Sequence, residues 1–157
     1  MLLSIDPGTT QSAIVCWDNS AGRIAYSEMM ENGDLLEHLR GQVIASDVFV
    51  EKLACYGMPV GSEIFDTAYM IGRIQEICSV RQVKLTLVTR LSVKMHLCHT
   101  PQAKDSNIRQ ALIDRLGPVG TKKNQGACYG ISGDLWSALA IAVYAHDTQV
   151  GVAHGSE

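Results

Sequence analysis

The chain has 157 residues, 46% of them hydrophobic and 18% charged, a formal net charge of −3 and a mean hydropathy of +0.08. That length suits one domain, residues 1–157, with a full core, and the slight apolar excess leaves room for a buried dimer face as well. No apolar run approaches the ~18 residues of a membrane span, and polar and acidic residues arrive by Asp6, which excludes a signal peptide and predicts a cytoplasmic protein.

The opening run, residues 2–5, is apolar, delivers one carboxylate at Asp6 and breaks at once into Pro7-Gly8. A short apolar run bounded by Pro and Gly reads as a buried strand ending in a tight turn. Residues 12–17 read as a second strand, 18–22 as a turn, and 23–29 as an alternating third strand, together an antiparallel meander. Asn32-Gly33-Asp34 starts a helix with Leu35, Leu36, Leu39 and Val43 at helical spacing. Residues 47–51 form the next strand, entered from a helix and therefore parallel to the first, and it too ends in a carboxylate, Glu51.

Residues 52–62 read as a loop beside that acid, and 63–81 as a long helix whose apolar stripe is wide enough to serve the sheet and a partner subunit. Residues 84–89 are a fifth strand, 91–98 a short helix, and 104–116 an amphipathic helix stopped by Gly117-Pro118. Residues 117–130 hold four glycines and Lys122-Lys123, a mobile basic loop, and 134–145 is a nearly all-apolar helix. The predicted order is βββαβαβααα, without repeats, low-complexity tracts or linkers.

Charge is polarised along the chain. The first 51 residues contain eight acids and only Arg23 and Arg40 as bases, whereas residues 90–123 contain seven bases and two acids. Such a block offers phosphates a basic surface despite the negative total; a solvated helix face is the plainer alternative. The five cysteines (Cys16, Cys55, Cys78, Cys98 and Cys128) are odd in number, widely spaced and without a CxxC pair, which indicates buried reduced thiols. His96 and His99 form the only close histidine pair; without Cys or acidic neighbours in sequence, they read as non-ligands.

Asp6 either caps the Pro-Gly turn or serves as a functional acid. Glu51 closing a second strand, and Asp134 opening the last helix where the helix dipole favours an anion, weigh toward function. Three carboxylates together repel one another, and an all-oxygen set of this kind suits Mg²⁺ or Mn²⁺. Two such ions can activate a water and stabilise the leaving oxygen of a phosphodiester.

On these residues the chain resembles the RuvC-type Holliday junction resolvases. The resemblance spans nearly the whole chain and rests on Ile5-Asp6-Pro7-Gly8, Val48-Phe49-Val50-Glu51 and the segment 134–140; the segments 94–98 and 104–112 look like the phage-encoded branch. It implies an RNase H-like α/β fold, with a mixed five-stranded sheet of three antiparallel then parallel strands flanked by helices. It also implies a homodimer making paired Mg²⁺-dependent nicks across a four-way DNA junction. By that likeness Asp6, Glu51 and Asp134 are metal ligands for two ions per site, and Lys104 is the catalytic-region lysine that offsets charge on the scissile phosphate. One position departs from the pattern: family members usually carry a fourth acid three residues into the last helix, where this chain has Ser137.

Lys94, Arg109, Lys122 and Lys123 are candidate phosphate contacts, with surface charge as their plain alternative. Tyr56, on the loop after Glu51, is a candidate wedge into the junction, or simply packs over the neighbouring helix. Trp136 reads as core, Asp66 and Asp114 as helix-surface acids, and Asp105 as a surface acid or an i+4 partner of Arg109. Two other functions remain open: a junction-binding relative that does not cut, suggested by Ser137, and a nucleotide-binding actin-like fragment, suggested by the phosphate-loop look of residues 6–10.

Overall fold

The computed structural model describes residues 1–41, 45–54, 57 and 61–154, the last four by backbone alone. Val43, Cys55 and Tyr56 therefore lie outside the described residues. The elements are β1 (Leu2–Asp6), β2 (Gln11–Asp18), β3 (Arg23–Glu31), α1 (Asn32–Arg40), β4 (Asp47–Lys52), α2 (Ser62–Val80), β5 (Lys84–Thr89), α3 (Arg90–Cys98), α4 (Asp105–Leu116) and α5 (Leu135–His154). The expected order βββαβαβααα is the observed one. No described helix is long and apolar enough to cross a membrane.

The strands form one sheet in the order β3-β2-β1-β4-β5, with β1–β2 and β2–β3 antiparallel and β1–β4 and β4–β5 parallel. Because side chains alternate across a strand, each strand divides its residues between two cores. Leu2, Val15, Trp17, Phe49 and Val88 face a core shared with α3, α4 and α5. Leu3, Ile5, Ile14, Val48 and Val50 face a second core closed by α1 and α2. The near-continuous apolar runs of β1 and β4 follow directly, since both faces of these central strands are covered.

Helix α5 lies tight on β1 and β2. Its small residues Ala138, Ala142 and Ala145 are fully buried, and the buried Ser4 hydroxyl donates to the Ala138 carbonyl at 2.7 Å. The helix runs nine residues beyond the expected stop at Ala145, through a charge, Asp147. That charge is matched from other helices: Arg115 donates to both Asp147 oxygens at 2.5 Å, and His96 Nε2 lies 2.5 Å from Oδ2. His96 thus has an acidic partner after all, supplied from 51 residues away and invisible in local spacing.

The Pro-Gly turn after β1 is built shut. A Cβ on Gly8 would stand 2.2 Å from the Gln11 carbonyl oxygen, so only glycine fits. The Asn32 amide donates to the carbonyls of Gly8 (3.0 Å) and Thr9 (3.1 Å), and the Ser12 hydroxyl holds the Asn32 Oδ1 at 2.7 Å. Residues 117–130 also carry more internal structure than a plain loop. Thr121 and Asn124 exchange backbone hydrogen bonds, which closes a turn with Lys122 and Lys123 at its tip.

Candidate active site

The sheet register brings two acids together. Ile5 of β1 pairs with Val50 of β4, so Asp6 and Glu51 sit one step further, at the carboxyl ends of adjacent parallel strands. They share the parity of Leu2, Ser4 and Phe49 and therefore face α5. The carboxyl ends of parallel strands are where open α/β sheets bind their ligands. Burial pushes the Asp6 pKa up, and the adjacent Glu51 carboxylate, to which Asp6 hydrogen-bonds, raises it further, to about 7. Asp134 adds a weaker push in the same direction, and Arg90 a small opposing one. Asp6 is thus a largely buried acid in an unfavourable electrostatic position, and among the described residues the turn is tied by Asn32 instead.

Asp134 lies one residue before α5, where its carbonyl accepts the first helical hydrogen bonds, from Ser137 and Ala138. An aspartate at this position ordinarily caps the helix with its side chain. Here the exposed carboxylate accepts no hydrogen bond from any described residue, which leaves it available to a cation. Ser137 stands one turn on, in a cleft together with Glu51, Arg90, Asp105 and Trp136.

Arg90 is the site residue whose role the sequence does not disclose. Glu51 pairs with Val88 and Lys52 with Thr89 across β4–β5, so the chain leaving β5 turns into α3 right beside Glu51. The Thr89 hydroxyl caps that helix by accepting from the Ser92 amide at 3.0 Å. Arg90, the first helical residue, places Nη1 3.4 Å from Glu51 Oε1 and Nη2 2.5 Å from Asp105 Oδ1. Partial burial works against its charge, but the bonds to Asp105 and Glu51 outweigh that and raise its pKa. Asp105 pairs with Arg90, therefore, and not with Arg109. A long-range partner with better geometry wins over the i+4 neighbour.

The other candidate bases divide between the two ends of the molecule. Lys104 is exposed at the start of α4, next to Asp105, with its backbone amide on the Asn107 side chain at 2.8 Å. Lys94 borders a groove with Arg90, Leu91 and Pro101. Arg109 is exposed, with its guanidinium 5.0 Å from the centre of the buried Trp136 ring, a cation–π contact beside the acidic cleft. Lys122 and Lys123 are not brought to the acids. The base of their turn, residues 125–127, lines a hollow with Trp17, Gly22 and Arg23, at the sheet end opposite Asp6.

The donor set of Asp6, Glu51 and Asp134 is all oxygen and carries an uncompensated repulsion, which is the chemistry that a hard divalent cation relieves. Among the described residues, no three His, Cys, Asp or Glu side chains already close into a metal cage. Asp6 and Glu51 fit a cation by their chemistry and their adjacent strand ends, and Asp134, before α5, by its chemistry.

No protein-family model matches the sequence, and no curated protein matches it either. Solved structures do. The chain is similar to Thermus thermophilus RuvC solved in complex with a Holliday junction substrate, at 17% identity and a TM-score of 0.72, covering 96% of this chain and 95% of that one. Its fold is RNase H-like. The yeast mitochondrial Holliday junction resolvase matches at 12% identity and a TM-score of 0.65, over 98% of this chain and 82% of that one. Fowlpox virus resolvase, solved with its Holliday junction DNA, matches at 11% and 0.52, over 94% and 99%. Its structural neighbours are thus Holliday junction resolvases, and the mixed five-stranded sheet expected from the sequence is present.

Proposed function

We propose that this protein is a structure-selective endonuclease, a RuvC-type resolvase of the phage-encoded kind, that resolves four-way junctions and related branched DNA by paired metal-dependent nicks. The observation that carries this reading is the Asp6–Glu51 pair: two acids side by side at the ends of adjacent parallel strands, with Asp134 adding to the repulsion on Asp6. The end-to-end likeness of the fold to resolvases supports it. Asp6, Glu51 and Asp134 would hold Mg²⁺, with Mn²⁺ able to substitute. A divalent ion bound there supplies a water of lowered pKa and charge stabilisation for the leaving oxygen.

The chain's own residues do the rest. Up to near neutral pH Asp6 retains a proton that cation binding would displace. Lys104 beside Asp105, Lys94 in the groove with Arg90, and Arg109 on Trp136 would bind DNA phosphates, Lys104 the scissile one by the family resemblance. Lys122 and Lys123, at the far end, serve a more distant duplex arm. A four-way junction needs two symmetric nicks, so the active form is a homodimer. The outer face of α2, where Phe65 and Tyr69 are 54% and 71% exposed, is the surface available for it.

The actin-like alternative finds less support. The Gly8 amide is already engaged by Ser12 and the adjoining carbonyls by Asn32, so this turn is not an open anion cradle. The deciding experiment is a nicking assay on four-way, three-way and fork DNAs with Mg²⁺ or Mn²⁺. The parent is expected to nick four-way junctions symmetrically. Asp6→Asn is expected to lose cleavage by at least ~10³-fold while retaining junction binding by gel shift. Equal cutting by Asp6→Asn would remove Asp6 from the site, and tight binding by the parent with no cutting would favour the non-cleaving relative.

A further inference from the structure

Arg90 places a positive charge directly beside Glu51, one of the acids proposed to hold a metal ion. Its Nη1 lies on Glu51 Oε1 at 3.4 Å, and its Nη2 is anchored on Asp105 Oδ1 at 2.5 Å. The same cleft contains Ser137, one helical turn beyond Asp134, where no charge is available to draw in a further cation. The guanidinium is held from both sides and is permanently charged at any working pH. It enters from the start of α3, directly after β5, and is fixed by the strand register and the Thr89 cap rather than by a free-swinging surface chain.

We propose that Arg90 is the resident second cation of this site: it holds Glu51 in place and leaves room for one divalent ion per protomer, bound by Asp6, Glu51 and Asp134. The inference rests on the nuclease reading and sharpens it. A divalent ion on the Ser137 side of Glu51 would face a fixed positive charge at short range and find no additional carboxylate, because Asp105 is already committed to Arg90. A planar donor can also take over part of the second ion's task, offering N–H groups to a phosphate oxygen on that side. Arg90 is in this sense a positioning residue for Glu51, and a phosphate contact when DNA is bound.

The test reads metal stoichiometry separately from cleavage. The full-length chain is titrated with Mn²⁺, and bound metal is counted by electron paramagnetic resonance and calorimetry. The Mn²⁺ dependence of four-way junction nicking is measured in parallel. The parent should bind one Mn²⁺ per protomer and nick with first-order dependence on Mn²⁺. Arg90→Lys should keep one ion. Arg90→Gln should lower nicking by roughly 10²–10³-fold. Arg90→Gln combined with Ser137→Asp should bind two ions and nick with second-order dependence. Two Mn²⁺ per protomer in the parent overturns the inference without any variant, as does Arg90→Gln that matches the parent in both readouts. One bound Mn²⁺ with no junction nicking upholds the single-ion site and overturns the nuclease reading instead. No bound Mn²⁺ overturns both.

Discussion

Asp6 shows how a single residue can be a liability to the fold and, in the proposed function, the centre of its chemistry. Its carboxyl, raised from 3.8 to about 7, keeps a proton in the folded chain over a range where the unfolded chain has released it. In metal-free protein, this contribution to stability is therefore fully present below pH ~4 and is lost as pH rises through ~7, by up to about 4 kcal/mol. Denaturation in EDTA at pH 5 and pH 8 measures this, and Asp6→Asn should flatten the profile. Mg²⁺ or Mn²⁺ at pH 8 should raise the melting temperature of the parent and leave Asp6→Asn unmoved. Asp6, Glu51 and Asp134 were readable as candidates because each terminates or opens an element. Arg90 was not, being one base among seven in its block, and its partner Glu51 lies 39 residues earlier.

At the scale of elements, three helices are tied together on one face of the sheet. Asp147 of α5 accepts Arg115 from α4 and His96 from α3, and the edge of the His96 ring meets Tyr144 with centroids 5.4 Å apart. Burial opposes the Asp147 charge, but the Arg115 and His96 bonds prevail and hold its pKa below the ordinary value. Its contribution to stability is present above the unfolded pKa and is lost as pH falls, opposite in sign to that of Asp6. Asp147→Ala should cost about 1–3 kcal/mol in urea denaturation at pH 7, and much less at pH 3. Periodicity located α3, α4 and α5 but ended α5 early, because a charge in an apolar helix looks like a terminus until its partners are known. The extra length of α5 is what reaches them.

For the molecule as a whole, the apolar excess in the composition has a location. The inner stripe of α2 closes the second core through Met70, Ile71, Ile74 and Ile77, while Phe65 and Tyr69 stand outside it. If that face makes the proposed homodimer, Phe65→Glu with Tyr69→Glu should yield a monomer by analytical ultracentrifugation. Its unfolding free energy per chain should shift by no more than about 0.5 kcal/mol, since both side chains are exposed within the protomer. Paired nicking should give way to slow, unpaired cuts. A variant that remains dimeric would move the interface to another surface. The basic block likewise proves to be two groups: Lys94, Lys104 and Arg109 near the acids, and Lys122 and Lys123 at the opposite end of the sheet.

The sequence by itself determined the order and kind of the elements, the two-faced burial of the central strands, and the appearance of acids where two strands end and the last helix begins. These are consequences of local periodicity and turn chemistry, which the chain expresses over a few residues. Only the tertiary structure decided that Asp6 and Glu51 are neighbours, that Arg90 stands on Glu51, and that the turn carrying Lys122 and Lys123 rises from the end of the sheet opposite both. Those relations depend on strand register and helix direction, which bring together residues tens of positions apart. A shift of one residue in register would have sent Glu51 to the opposite face of the sheet and left Asp6 alone.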